Sequence, residues 1–136
     1  MERSADVEAV VADFYAVMGR GDATAVTRLL SPDLTAVVGT DDAEWWEGYE
    51  SASAAFVAQL EAAGQLGFEA GSLRGYSAGD FGWFEDRAGI ALDYGDSLPV
   101  RITGVLHRED GTWRVVQMHV SLGTPNAEVG LTDLPV

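Results

Sequence analysis

His107 and His119 are the only imidazoles in the sequence, and most other groups that could do chemistry are carboxylates. The chain carries 22 Asp and Glu against eight basic residues, every one of them arginine. The absence of cysteine removes thiolate catalysis, disulfides and zinc–thiolate sites. The absence of lysine removes the amine of an internal Schiff base and the lysine of a P-loop. His107 is expected opposite Trp113, and the strand from Trp113 to His119 would span roughly 20 Å, so the two histidines cannot share a metal within one chain. Asp41-Asp42 and Asp93…Asp96 lack calcium-loop spacing and read as turn residues. No metal and no cofactor is expected. His119, on a strand beside Arg101, Gln117 and Ser121, reads as a hydrogen-bonding structural residue in preference to a catalyst.

The elements that must position such groups are legible from periodicity. Val7, Val10, Val11, Phe14, Val17 and Met18 recur at helical spacing, with Ser4 as cap and Asp6 and Glu8 in the first turn. Asp22 caps a short second helix carrying Val26, Leu29 and Leu30, which Ser31-Pro32 stops. After a short strand at Leu34–Val38 and the segment Gly39 to Gly48, a third helix is expected from about Glu50 to Ala63, with Gly64 suited to its end. The second half is strand-like, at Phe68–Tyr76, Phe81–Asp86, Gly89–Tyr94, Leu98–Arg108 and Trp113–Leu122, with turns at Gly79-Asp80, Gly95-Asp96 and Asp110-Gly111.

The last two strands carry the most information. A three-residue loop, Glu109-Asp110-Gly111, with Gly111 left-handed, sets Gly104 opposite Val116, Ile102 opposite Met118 and Val100 opposite Val120. That face is apolar. The other face holds Arg101, Thr103, Gln117, His119 and Ser121, with Val105 and Val115. A two-residue loop would shift the register by one and mix the faces. The apolar face should meet the helices. The polar face should meet either solvent or a second subunit, because two-sided sheets of this kind pair in dimers.

Composition sets outer limits. At 136 residues with a net charge of −14, the chain fits one domain over 1–136, with a core at about 4–122 and a tail at 123–136 that is either an arm on the fold or disordered. Such charge repels phosphate backbones and anionic bilayers, so neither nucleic acid nor membrane is an expected partner. No apolar run reaches the length of a membrane span, and the first residues do not read as a signal peptide. The expected location is the cytoplasm.

The order of these pieces resembles the nuclear transport factor 2-like superfamily, and in detail its SnoaL-like branch. The matching residues are Phe14-Tyr15 with Gly21-Asp22, Gly39-Thr40 with Glu44-Trp45-Trp46-Glu47-Gly48, Arg101-Ile102-Thr103-Gly104-Val105, and Gly111 through Ser121. The resemblance covers about residues 4–122. It implies an α+β fold, a cone-shaped barrel of three N-terminal helices packed on a curved, mostly antiparallel sheet, often a homodimer, with a pocket between helices and sheet. It also implies a range of functions, from isomerases, cyclases and dehydratases to non-catalytic assembly domains, so the fold does not choose among them.

Residue by residue, the resemblance removes some chemistry. The position of the steroid isomerases' helix tyrosine is Phe14, and that of their general base is Val38; neither can move a proton. Tyr15, next to Phe14, lies about 100° around the helix. The sheet arginine of the kinase association domains is matched by Gly104. The same comparison points Val116, Met118 and Val120 into the pocket, together with Phe81, Trp83 and Glu85. Glu85 is then the candidate buried acid or base, unless it is a rim carboxylate.

The expected ligand pocket is therefore Phe14, Met18 and Phe56 from the helices, Trp46 (or its neighbour Trp45) before the third helix, and Trp83, Glu85, Ile102, Gly104, Val116, Met118 and Val120 from the sheet. The expected function is binding of an apolar or polyketide-like small molecule, with or without proton-transfer catalysis of the isomerase, cyclase or dehydratase type. The alternative is a non-catalytic dimerisation or assembly module. The expected partner is a second copy of the chain, docked through the polar sheet face.

Overall fold

The computed structural model describes residues 1–136 and contains three helices on a mixed, mostly antiparallel open sheet. The chain runs β1 (Glu2–Arg3), α1 (Ala5–Gly19), α2 (Ala23–Leu29), β2 (Ala36–Val38), β3 (Trp45–Glu47), α3 (Tyr49–Ala63), β4 (Phe68–Glu69), β5 (Arg74–Ala78), β6 (Phe81–Ala91), β7 (Ser97–Glu109) and β8 (Thr112–Ser121). A 3-10 turn at Asn126–Val129 lies in the tail, which exposes Val129, Leu131 and Leu134. The sheet order is β1-β5-β6-β7-β8-β2-β3, with β4 also on β6, and only the β2–β8 pair is parallel. This is the cone-shaped α+β architecture expected from the sequence.

Local chemistry explains the helices. The Ser4 hydroxyl accepts the Val7 amide at 3.2 Å and the Asp22 carboxylate accepts that of Ala25 at 3.1 Å, satisfying otherwise orphaned N–H groups of α1 and α2. The Glu8 carboxylate accepts the Gly75 amide at 3.0 Å and pairs with Arg3, tying α1 to the sheet edge. Those contacts, the Gly75 amide first, hold its carboxyl below the usual range. One side of α1, from Val7 through Val11 and Phe14 to Met18, and Ala52, Phe56 and Leu60 of α3 join one buried core with the inward residues of β6, β7 and β8.

The β7–β8 hairpin differs from expectation at two compensating places. Its loop has two residues, Asp110 and Gly111, both at positive φ (50° and 81°), and Glu109 faces Thr112. This is the twist-matched turn that Asp-Gly favours. A one-residue shift follows, so that His107 faces Arg114 rather than Trp113. A β-bulge then restores the faces. Leu106 faces Val115 but Val105 faces Gln117, leaving Val116 as an extra residue. Beyond it Gly104 faces Met118, Ile102 faces Val120 and Thr103 faces His119. Val115, expected outside, is buried, while Val116 is turned toward β2 and its carbonyl accepts both the amide and the hydroxyl of Thr35.

The second difference lies in β6. Phe81–Asp86 and Gly89–Tyr94, expected as separate strands, form one strand ending at Ala91. Its inward residues are Gly82, Phe84, Asp86 and Ala88; Phe81 and Glu85 are exposed and Trp83 is half-buried, stacked on Tyr76. The Phe84 ring lies against Gly104, where an added Cβ would stand 2.8 Å from the Gln117 carbonyl oxygen and 3.1 Å from a Phe84 ring carbon. Gly104 is there for close approach, since both neighbours are fixed. Gly104→Ala is expected to lower stability by about 1–3 kcal/mol, read as a lower urea midpoint with an unchanged slope.

Candidate functional site

A cavity of about 360 Å³ opens between α1, α3 and the concave face of the sheet. Of the expected pocket residues, Phe14, Met18, Trp46, Phe56, Met118 and Val120 line it. Leu66, Phe68 and Ile90, not anticipated, complete its apolar wall. Phe14 meets Phe56 edge-on at 5.8 Å between ring centres. Trp46 reaches the cavity because it pairs with inward Val37, whereas Trp45 points away, 62 % exposed, and donates to Glu47 at 3.3 Å.

The other five expected pocket residues stand elsewhere, each for a structural reason. Ile102 is inward but sealed in the core, 1 % exposed. Gly104 is inward but covered by Phe84. Val116 is the bulge residue. Trp83 and Glu85 lie on the outer face of β6, opposite Val105 and Thr103. Glu85 is therefore an exposed carboxylate and not the buried acid. An inward Glu85 would also have buried Arg87, which has the same parity, and that signal was available in the sequence.

The polar groups of the cavity are Thr40, Glu44 and Gln59. Glu44 is held from three sides. Its carbonyl accepts the Gly39 amide at 2.9 Å, and its carboxylate accepts the Asp41 amide at 3.2 Å and the Gln59 side-chain amide at 3.1 Å. Gly39 leaves room for this, since a Cβ there would stand 2.9 Å from the Glu44 Cβ and closer still to its carboxylate. The Gly39-Thr40 and Glu44-Trp45-Trp46 segments carried the family resemblance, but nothing in their spacing said which side chain turns inward. Gln59 lies on α3 one turn beyond Phe56, a helical spacing that could have marked it.

A buried carboxylate does exist, one residue from the expected one. Asp86 is 4 % exposed. It accepts the Tyr15 hydroxyl at 3.0 Å and the amides of Ser72 and Gly71 at 2.7 and 3.2 Å. These two amides belong to the gap between β4 and β5, both of which pair with the same edge of β6. The Asp86 side chain thus replaces missing ladder bonds there. Burial, and then the adjacent Asp86 charge, raise the Tyr15 hydroxyl far above the ordinary tyrosine range, so Tyr15 remains a donor. Neither residue lines the cavity; Phe68, stacked on Tyr15 at 5.6 Å, meets it instead.

The polar sheet face is placed as expected. Arg101, Thr103, Gln117 and His119 are exposed and Ser121 half-buried. Arg101 pairs with Ser121, and its guanidinium donates to the Ser121 hydroxyl and the Leu122 carbonyl, each at 3.3 Å. His107, farther along, packs on Phe81 at 4.7 Å. No helix is long and apolar enough to cross a membrane.

Comparison with known proteins agrees with this geometry. Residues 7–125 match the model of the SnoaL-like domain, and the chain belongs to that family. No curated protein matches it in sequence. Among solved structures it is similar to a nuclear transport factor 2-like protein of unknown function from Pseudomonas putida KT2440, at 17% identity and TM-score 0.79 over 91% of this chain and 92% of that one. It is similar to a protein provisionally assigned as a dehydratase from Streptomyces avermitilis, at 17% identity and TM-score 0.76 over 88% and 95% of the two chains. A ketosteroid isomerase-like protein from Erwinia carotovora atroseptica SCRI1043 matches at 16% identity and TM-score 0.66, over 89% and 96%. At these identities the likeness concerns the fold.

Two substitutions test the Tyr15–Asp86 network. Tyr15→Phe removes one hydrogen bond and is expected to cost about 1 kcal/mol, whereas Asp86→Ala leaves the buried Tyr15 hydroxyl unpaired, releases the exposed Gly71 and Ser72 amides to water and is expected to cost about 2–3 kcal/mol. The pH dependence has a definite sign. Below about pH 10 both native and unfolded chains keep the Tyr15 proton and its full contribution is present. Above it only the unfolded chain releases the proton, so stability falls as pH rises. Denaturant titrations from pH 8 to 11 should show a shallower alkaline loss for Tyr15→Phe than for the parent.

Proposed function

We propose that this protein binds a small, largely apolar molecule in the cavity between α1, α3 and the sheet. One observation carries the reading: a preformed cavity of about 360 Å³ whose walls are apolar and whose few polar groups gather around one fixed carboxylate. That is the usual make-up of a small-molecule site, an apolar body with few orienting groups. A pocket that was only a packing defect would need neither the Gly39 clearance nor the Gln59 brace on Glu44.

Proton-transfer chemistry is the finer form of this reading, and Glu44 is the group that supports it. It is the cavity's one ionisable side chain, and removal or delivery of a proton next to an apolar substrate is work a positioned carboxylate does. The dehydratase and isomerase-like neighbours agree in kind. Glu85 and His119 have no part in it. Catalysis would be read as turnover that Glu44→Gln abolishes while binding persists.

The outer sheet face favours a second copy of the chain as partner. Its polar centre of Arg101, Thr103, Gln117, His119 and Ser121 is flanked by exposed Phe81 and by the stacked pair Tyr76–Trp83, a mixture suited to an isologous sheet interface. This dimer could serve the non-catalytic assembly role, but the built cavity favours a ligand as well.

Binding and assembly are separable by experiment. The neutral apolar dye N-phenyl-1-naphthylamine should bind with enhanced fluorescence, and Ala62→Trp, at an exposed residue lining the cavity, should abolish the enhancement without lowering the melting temperature. A parent protein that gives no enhancement contradicts the binding reading. Light scattering at micromolar concentration should give twice the 14.5 kDa chain mass, and His119→Glu should raise the dissociation constant at least about tenfold through like-charge contact across the interface. A parent that is monomeric there contradicts the dimer.

A further inference from the structure

The charge at the cavity is all of one sign. Glu44 is the one ionisable side chain among the lining residues, and no arginine or histidine lies with it. The same loop carries exposed Asp41 and Asp42, and β3 adds exposed Glu47. The chain as a whole carries −14. A ligand entering here meets a negative field with no fixed cation to answer it.

Glu44 is also under-used by the protein. One carboxylate oxygen accepts the Asp41 amide and the other the Gln59 side-chain amide. A carboxylate has about four acceptor positions, so two remain for something else, on a side chain already fixed in place. Trp46 lines the same cavity, and Phe14, Phe56 and Phe68 form much of its wall. An indole face attracts a cation, and a pre-positioned carboxylate binds a charged donor more strongly than a neutral one.

An anionic head group would lose its hydration beside a carboxylate and find no compensating charge. An alcohol would gain one ordinary hydrogen bond. A protonated amine would gain a charge-assisted bond in a cavity lined by aromatic rings and the long-range attraction of an acidic protein. We propose that the cavity is selective for apolar molecules ending in a protonated amine, with Glu44 receiving the ammonium group, and that it discriminates against their carboxylate counterparts. The inference rests on the reading that the cavity holds a ligand, and it names that ligand's class.

Three probes of equal chain length separate the two. Octylamine, octanol and octanoate are titrated at pH 7 by isothermal calorimetry against the parent, Glu44→Gln and Glu61→Gln. Glu61 is an exposed α3 carboxylate that does not line the cavity, so its variant reports the general field of the acidic surface. The expected order of affinity is amine, alcohol, carboxylate, with the amine at least about tenfold tighter than the alcohol, the size of one charge-assisted bond. Glu44→Gln should erase that advantage, so that amine and alcohol bind within about threefold of each other; Glu61→Gln should leave the amine's advantage in place. Octanol binding with no preference for the amine overturns the inference and leaves the cavity reading intact. An amine preference that survives Glu44→Gln, or that Glu61→Gln reduces equally, also overturns it. Failure of all three probes to bind overturns both.

Discussion

The extra residue at Val116 decides what this protein's cavity is made of. The two-residue Asp110-Gly111 turn is the tightest way to reverse the chain, and taken alone it would set Gly104 against Gln117 and Ile102 against His119. Two polar side chains would then enter the core. The bulge between Val115 and Gln117 absorbs the one-residue slip. Trp113 and Val115 face inward before it, Met118 and Val120 after it. Parallel pairing of β2 with β8 transmits this choice onward. Val37 faces Met118, Trp46 faces Val37, and the β2–β3 loop is thereby delivered to the cavity mouth with Glu44 in it. The same bulge keeps His119 on the outer face.

A second constraint closes the far side. β4 and β5 share one edge of β6, and the chain between them cannot complete the ladder. Asp86 fills the gap with its side chain and takes the Tyr15 hydroxyl as well, so one buried carboxylate joins α1, the β4–β5 connection and β6. Phe68 is held over Tyr15 by this arrangement and forms part of the cavity wall. The network is fully paired and set back from the cavity, which distinguishes it from a reactive group. The site's free acceptor capacity lies at Glu44.

Much of this was legible in the sequence, for physical reasons that differ by element. The helices were readable because caps and 3.6-residue periodicity are local: Ser4, Asp22 and Gly64 mark their limits, and Phe14, Met18 and Phe56 follow from the pattern. The segregation of Arg101, Thr103, Gln117 and His119 from Ile102, Met118 and Val120 was also readable, since burial enforces it. The route to that segregation was not. A three-residue loop and a two-residue loop with a bulge give the same faces beyond the bulge, and they differ only before it, where the three-residue loop would turn Trp113 and Val115 outward and Arg114 inward. In β6, both parities mix aromatic and acidic residues, so Glu85 and Asp86 could be told apart only by asking where Arg87 would go. Glu44 lies in a loop, where no period exists, and its inward turn depends on Gly39 and on Gln59, far along the chain.

The central claim is that the ligand sits on the inward face this register creates, and the three methionines allow a direct look at it. Met18 and Met118 line the cavity, while Met1 is 83 % exposed at the chain start. With methyl-labelled methionine, a carbon–proton correlation spectrum has one signal for each. Titration with N-phenyl-1-naphthylamine should shift the Met18 and Met118 signals together, with intermolecular Overhauser contacts from both methyls to the dye, and leave Met1 in place. Saturable binding that moves neither Met18 nor Met118 would contradict the account.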